Sequence, residues 1–70
     1  MKGRVKWFNK NKGYGFITTE DNKEYFAHWK SIVTNSPMEL KVLEQDEIVT
    51  FDLMDTDKGI QAINIIRVNA

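Results

Sequence analysis

Polar and apolar residues alternate along the first third of the chain, lose that rhythm in the middle, and regain it towards the end. Lys2, Arg4 and Lys6 alternate with Gly3, Val5 and Trp7, which predicts a strand over residues 2 to 9. The alternation breaks at Trp7-Phe8, and a bulge there would turn one ring to the core and the other to solvent. Asn9-Lys10-Asn11-Lys12-Gly13 reads as a polar turn. A second strand over residues 14 to 19 places Tyr14, Phe16 and Thr18 on one side and Gly15, Ile17 and Thr19 on the other. Gly13 and Gly15 carry no side chain, which suits a tightly bent strand or the close approach of another backbone. After a turn at residues 20 to 23, a third strand over residues 24 to 28 sets Phe26 and His28 opposite Tyr25 and Ala27. Laid side by side, Tyr14, Phe16, Phe26 and His28 are expected to form a flat ring platform. A short helical turn is expected at Trp29-Lys30-Ser31-Ile32.

From residue 33 to residue 47 the pattern loosens. Thr34-Asn35-Ser36-Pro37 marks an exposed loop, and Met38, Leu40, Val42 and Leu43 are scattered anchors. Pro37 followed by good helix formers is also a start signal for a helix over residues 37 to 45. Alternation returns at residues 48 to 54, with Val49, Phe51 and Leu53 on one face. Residues 55 to 59 turn the chain into a last strand over residues 60 to 68, apolar on both faces, so periodicity leaves its core side open. Five short strands joined by polar turns predict an all-β fold, a small five-stranded antiparallel barrel closed or nearly so.

Seventy residues are expected to make one domain, with about 60% of the unfolded surface buried. There is no cysteine, which removes disulfides and thiolate zinc sites and fits a reducing, cytoplasmic setting. Met1-Lys2-Gly3-Arg4 leads into a charged strand rather than a signal peptide, and no apolar run approaches membrane-spanning length, so no membrane partner is expected.

Net charge is zero, yet the charges are segregated. Residues 1 to 30 hold seven cations against three anions, a balance of plus four, and residues 31 to 70 hold three against seven, a balance of minus four. Such a field steers an anionic ligand to one face of a neutral molecule, although charge alone is equally compatible with plain solvated surface.

Aromatic residues are segregated too. Seven of the eight lie between positions 7 and 29, and only Phe51 lies beyond. Rings at period two are more often core than ligand platform. Here Val5, Ile17, Ile32, Val49, Leu53, Ile63 and Ile65, with Phe51, can already fill a core of this size, which leaves the early rings in surplus. Those rings are interleaved with Lys6, Lys10, Lys12 and Lys30. Rings beside cations suit an unpaired nucleic-acid strand, whose bases stack while lysines follow its phosphates.

At these residues the chain resembles the bacterial cold shock proteins. The resemblance rests on Lys6-Trp7-Phe8-Asn9, Lys12-Gly13-Tyr14-Gly15-Phe16-Ile17 and Phe26-Ala27-His28-Trp29, which include two ribonucleoprotein-type motifs. Weaker echoes at Ile32, Lys41-Val42-Leu43, Val49-Thr50-Phe51 and Lys58-Gly59-Ile60-Gln61-Ala62 extend it over nearly the whole chain. It implies an OB-fold barrel, a single cold shock domain over residues 1 to 70, that binds single-stranded DNA and RNA, favouring pyrimidine-rich strands. Such proteins act as RNA chaperones or transcription antiterminators in the cold or stress response, with no metal, cofactor or small-molecule substrate. Carried over by position, the implied binding residues are Lys6, Trp7, Lys12, Tyr14, Phe16, Phe26, His28, Trp29 and Lys58. The chain departs from the family pattern at Tyr25, a core position usually small and aliphatic; at Lys30, usually serine; and at Ile60, commonly proline. The loop over residues 33 to 42 is longer than usual, and Leu40 falls where many relatives carry another stacking aromatic.

Taken without the resemblance, several of these residues have plainer readings. His28 could be an exposed histidine without a role, Trp29 a cover for the barrel end, and Trp7 a half-buried packing residue. Lys58, between Asp57 and Gly59, reads equally as a turn lysine and as a phosphate contact. Asp55 and Asp57 have no further ligand spacing to support a cation site. Catalysis is the weakest functional reading, since no cysteine nucleophile, serine–histidine constellation or phosphate loop is present. The competing class is a peptide-binding small β-barrel, but its groove would place carboxylates beside the rings, and here the rings sit among lysines. A monomer is expected, with the long loop after Ile32 as a hinge for a strand-exchanged dimer.

Overall fold

In the computed structural model, which describes residues 1–34 and 38–68, the alternating stretches become five strands. They are β1 (Lys2–Asn9), β2 (Tyr14–Thr18), β3 (Glu24–His28), β4 (Ile48–Thr56) and β5 (Gly59–Arg67), with a 3-10 turn at Trp29–Ser31. They close into a barrel in the order β1-β2-β3-β5-β4. All pairings are antiparallel except β3 with β5, which is parallel. Closure matters here because it leaves the outward wall of β1 to β3 as continuous surface rather than sheet edge.

The interior is filled by Val5, Ile17, Ala27, Ile32, Leu43, Val49, Phe51, Ala62 and Ile65, with Phe8 and Tyr25 packed against them. The β1 bulge lies one residue before the expected place. Val5 pairs with Ile17 and Trp7 with Phe16, so Lys6 is the extra residue. The consequence is the one expected of the Trp7-Phe8 pair: Phe8 packs on the core and Trp7 is exposed.

Two features of β4 and β5 lie outside the period-two reading. On β5, Thr50 faces Ile66 but Asp52 faces Ile63, so β5 holds one residue more than β4 between those pairs. Asn64 sits there with a φ of 50°. The bulge shifts the side-chain phase, and Ala62 and Ile65, three apart, both point inward. Neither of the two period-two faces of this strand is therefore the core face along its whole length. Leu53, expected inside, is 36% exposed, because the distal half of the β4–β5 hairpin runs past the packed interior.

A helix over residues 37 to 45 does not form across the described positions 38–45. Pro37, its expected first residue, and Asn35 and Ser36 of the predicted loop lie outside the described residues. The segment is irregular, and its main anchor is Leu43, 1% exposed. Among the described residues no helix is long and apolar enough to cross a membrane.

Candidate nucleic-acid interface

The outer face of β2 and β3 is fixed by register. Phe16 lies directly opposite Phe26, and Tyr14 opposite His28, while Gly15 and Ala27 fill the inward positions between them. Trp7 joins from β1, opposite Phe16. The rings form a continuous chain. Trp7 stands 5.4 Å from Phe16 and 5.8 Å from Tyr14 between centroids, Tyr14 and Phe16 stand 5.8 and 5.9 Å from Phe26, and His28 links Phe26 at 6.3 Å to Trp29 at 5.8 Å. The rings are not coplanar. Their planes meet at 29° to 77°, so the expected flat platform is terraced, as edge-to-face preference between ring quadrupoles dictates.

Two glycines make this packing attainable. A Cβ on Gly15 would lie 2.1 Å from the carbonyl oxygen of Trp7 and 2.7 Å from the Cα of Phe8, so only glycine lets β1 approach β2 at the bulge. Gly13 has a φ of 76°, and a Cβ there would lie 2.4 Å from Cδ1 of Trp29. The Trp29 backbone N–H donates to the Gly13 carbonyl at 2.8 Å, which seats the indole over the turn with 40% of the residue exposed. At His28, Nδ1 accepts the Lys30 backbone N–H at 3.2 Å. That bond leaves Nε2 as the donor nitrogen of the neutral ring.

Cations flank both ends of the ring chain. At one end Lys12, Trp29, Leu40, Lys10 and Lys41 line an open recess of about 440 Å³. At the other, Lys58, Phe16, Phe26, Gln61 and Glu24 line one of about 340 Å³. All nine residues expected from the resemblance are thus on or beside one outer surface. Lys30 adds a cation 5.7 Å from the Trp29 ring centroid. Two of the lysines carry internal partners: Lys6 Nζ bonds Glu24 at 2.8 Å, and Lys10 Nζ bonds Glu44 at 2.6 Å. The Lys10 hydrogen bond, and then its charge, hold the Glu44 carboxyl below its ordinary value.

Sequence reasoning passed over Gln61, which sits opposite Phe26 across the parallel pairing and offers an amide donor and acceptor beside the rings. No local signal marks it, because only the β3–β5 closure brings it there. Leu40 is 74% exposed and faces the same recess as Trp29, so the end of the surface where a further ring was missing carries an aliphatic side chain instead.

The family model described as "'Cold-shock' DNA-binding domain" matches residues 1–68. The chain is 48% identical over 64 residues to Cold shock protein 1 of Lactiplantibacillus plantarum, covering 91% of this chain and 92% of that protein. It is 46% identical over 66 residues to the Major cold shock protein of Streptococcus pyogenes, covering 94% of each. Among solved structures, "drosophila Unr CSD456" matches with a TM-score of 0.72 over 97% of this chain and 26% of its own length, at 22% identity, a likeness of fold.

Proposed function

The chain belongs to the cold-shock DNA-binding domain family, a family of nucleic-acid-binding modules, and from that premise we propose that its terraced ring face binds single-stranded DNA and RNA. Bases stack on Trp7, Tyr14, Phe16, Phe26, His28 and Trp29, while Lys6, Lys12 and Lys58 follow the phosphates. The observation that carries this reading is the division of aromatic labour: six rings run along the outside while the interior is filled without them.

Magnitudes rank the contributions. Stacking yields roughly 1 to 3 kcal/mol per base and tolerates any sequence, with a modest leaning to pyrimidine runs. Lysine contacts supply encounter rate and salt dependence. Lys6 must first leave Glu24, but both side chains are about half exposed, at 50% and 45%. Such a pair contributes at most about 1 kcal/mol, so the exchange is a small correction to stacking. A strand held open on the rings cannot pair with itself, which is the physical content of an RNA chaperone or antiterminator role in the cytoplasm during cold or stress. The whole chain acts as one binding domain in this account, without catalysis.

Trp7 and Trp29 report on the site directly. A titration with a short oligothymidine and with its duplex form, followed by tryptophan fluorescence at low and moderate salt, should show strong quenching by the single strand only. Affinity should fall modestly as salt rises. No quenching, or an equal response to duplex, would overturn the proposal in favour of a peptide-binding barrel.

A further inference from the structure

On β1 the cations continue beyond the rings. Lys2 and Arg4 are exposed on its outer face, alternating with the buried Gly3 and Val5. Arg4 lies opposite Thr18, the next outward residue after Phe16 on β2, so it occupies the row beside the ring face. Lys2 is one row further, about 13 Å from the Phe16 row at strand spacing. Together they line a groove of about 240 Å³ with Gly3, Thr18, Thr19 and Ile48; Glu20 is the one carboxylate among its lining residues.

Three features bear on what this strip can hold. Lysines on an exposed strand often guard a free sheet edge, but Arg4 is paired on both sides, with Thr18 of β2 and Ile48 of β4, and has no edge to guard; Lys2 pairs with Thr50 of β4 alone. Lys6, Lys10, Lys23 and Arg67 each hold a carboxylate, whereas Lys2 and Arg4, like Lys12, Lys30, Lys41 and Lys58, have no ion-pair partner among the described residues, so their charges are open to a ligand. The groove also contains no ring, so it has nothing on which a base could stack.

We propose that Lys2 and Arg4 form a second, base-independent phosphate track, which takes the phosphodiester backbone of the nucleic-acid strand where it leaves the rings past Phe16 and Thr18. This rests on the single-strand reading given above. The ring face sets the affinity for a short segment; the track lengthens the footprint and contributes only charge.

The test uses two probes. One is an oligothymidine of about six nucleotides, within the range an OB barrel covers, and the other is the same oligomer with about four abasic phosphodiester units at each end. Abasic ends offer phosphates without bases. The wild type should bind the extended probe about five-fold more tightly at low salt, and the Lys2→Gln, Arg4→Gln double variant should lose that gain. The variant should bind the unextended probe within about two-fold of wild type, and its salt slope on the extended probe should fall by about 1.4, or 0.7 for each lost phosphate contact. A gain that survives in the variant overturns the track, as does an equal loss on both probes. Failure of the ring-face reading shows separately, as absent tryptophan quenching by the unextended probe in the wild type.

Discussion

On the wall made by β1, β2 and β3 the exposed positions carry rings and lysines, whereas on the β4–β5 hairpin they carry Asp52, Met54, Asp55, Ile60 and Ile66. Both regions contribute buried residues to the same core, so fold alone does not distinguish them. The difference lies in what the outward positions are made of. Phe26 and Phe51 show it with one side chain type. Phe51 is 2% exposed and packs towards Tyr25 at 6.1 Å, while Phe26 sits half-buried among Tyr14, Phe16 and His28 on the outside. A ring inside the barrel holds it together, and a ring outside is available to a ligand.

Substitutions that break one region and spare the other sharpen this contrast. The largest effect is expected from Phe51→Ala, which should cost about 3 to 5 kcal/mol of stability in urea unfolding, a large share of what so small a domain has. Gly15→Ala comes next. Its new Cβ meets β1 backbone at 2.1 Å, which cannot rotate away. We expect a loss of about 1 to 3 kcal/mol, seen as a lower melting temperature, together with weaker oligothymidine binding because Trp7 and Phe16 lose their register.

Leu40→Phe works in the opposite direction. Leu40 faces the recess beside Trp29 and is mostly exposed, so a ring there should add one stacking position, tightening binding by roughly five-fold or more with the melting curve unchanged. The smallest effect concerns acid. Because Lys10 lowers the Glu44 pKa in the folded protein, that pair's stabilisation is present above the ordinary value of 4.5 and is lost as pH falls through the lowered one. Glu44→Gln should therefore give a slightly flatter decline of stability with falling pH in that range, read by chemical unfolding at a series of pH values.

How much of this was legible in the sequence differs between the two regions for the same reason. Along β1 to β3 the alternation is regular but for one break at Trp7-Phe8 that the sequence itself displays, the turns are rich in Asn and Gly, and strand limits and ring orientation follow from local pattern. In β4 and β5 the decisive events are non-local. The bulge at Asn64 moves Ala62 and Ile65 to one side, and the hairpin's reach past the core exposes Leu53. Neither leaves a mark in a period-two reading. Ala27 and Ala62 belong to the core because strands approach closely there, which small side chains permit but do not announce. Helix propensity misled for residues 38–45, where burying Leu43 and satisfying the barrel end outweighs it. At the interface, the rings were readable from position; the Lys6–Glu24 pair and the nearness of Gln61 required the closed barrel.

The central claim is that the outer rings bind and the inner ones support. Its most direct test is a tryptophan-fluorescence titration of Phe26→Ala with oligothymidine, paired with a melting curve on the same sample. Loss of one stacking ring predicts affinity weaker by roughly 5- to 150-fold, at about 1 to 3 kcal/mol, with the barrel still folded. Wild-type affinity in a folded Phe26→Ala protein would contradict the account.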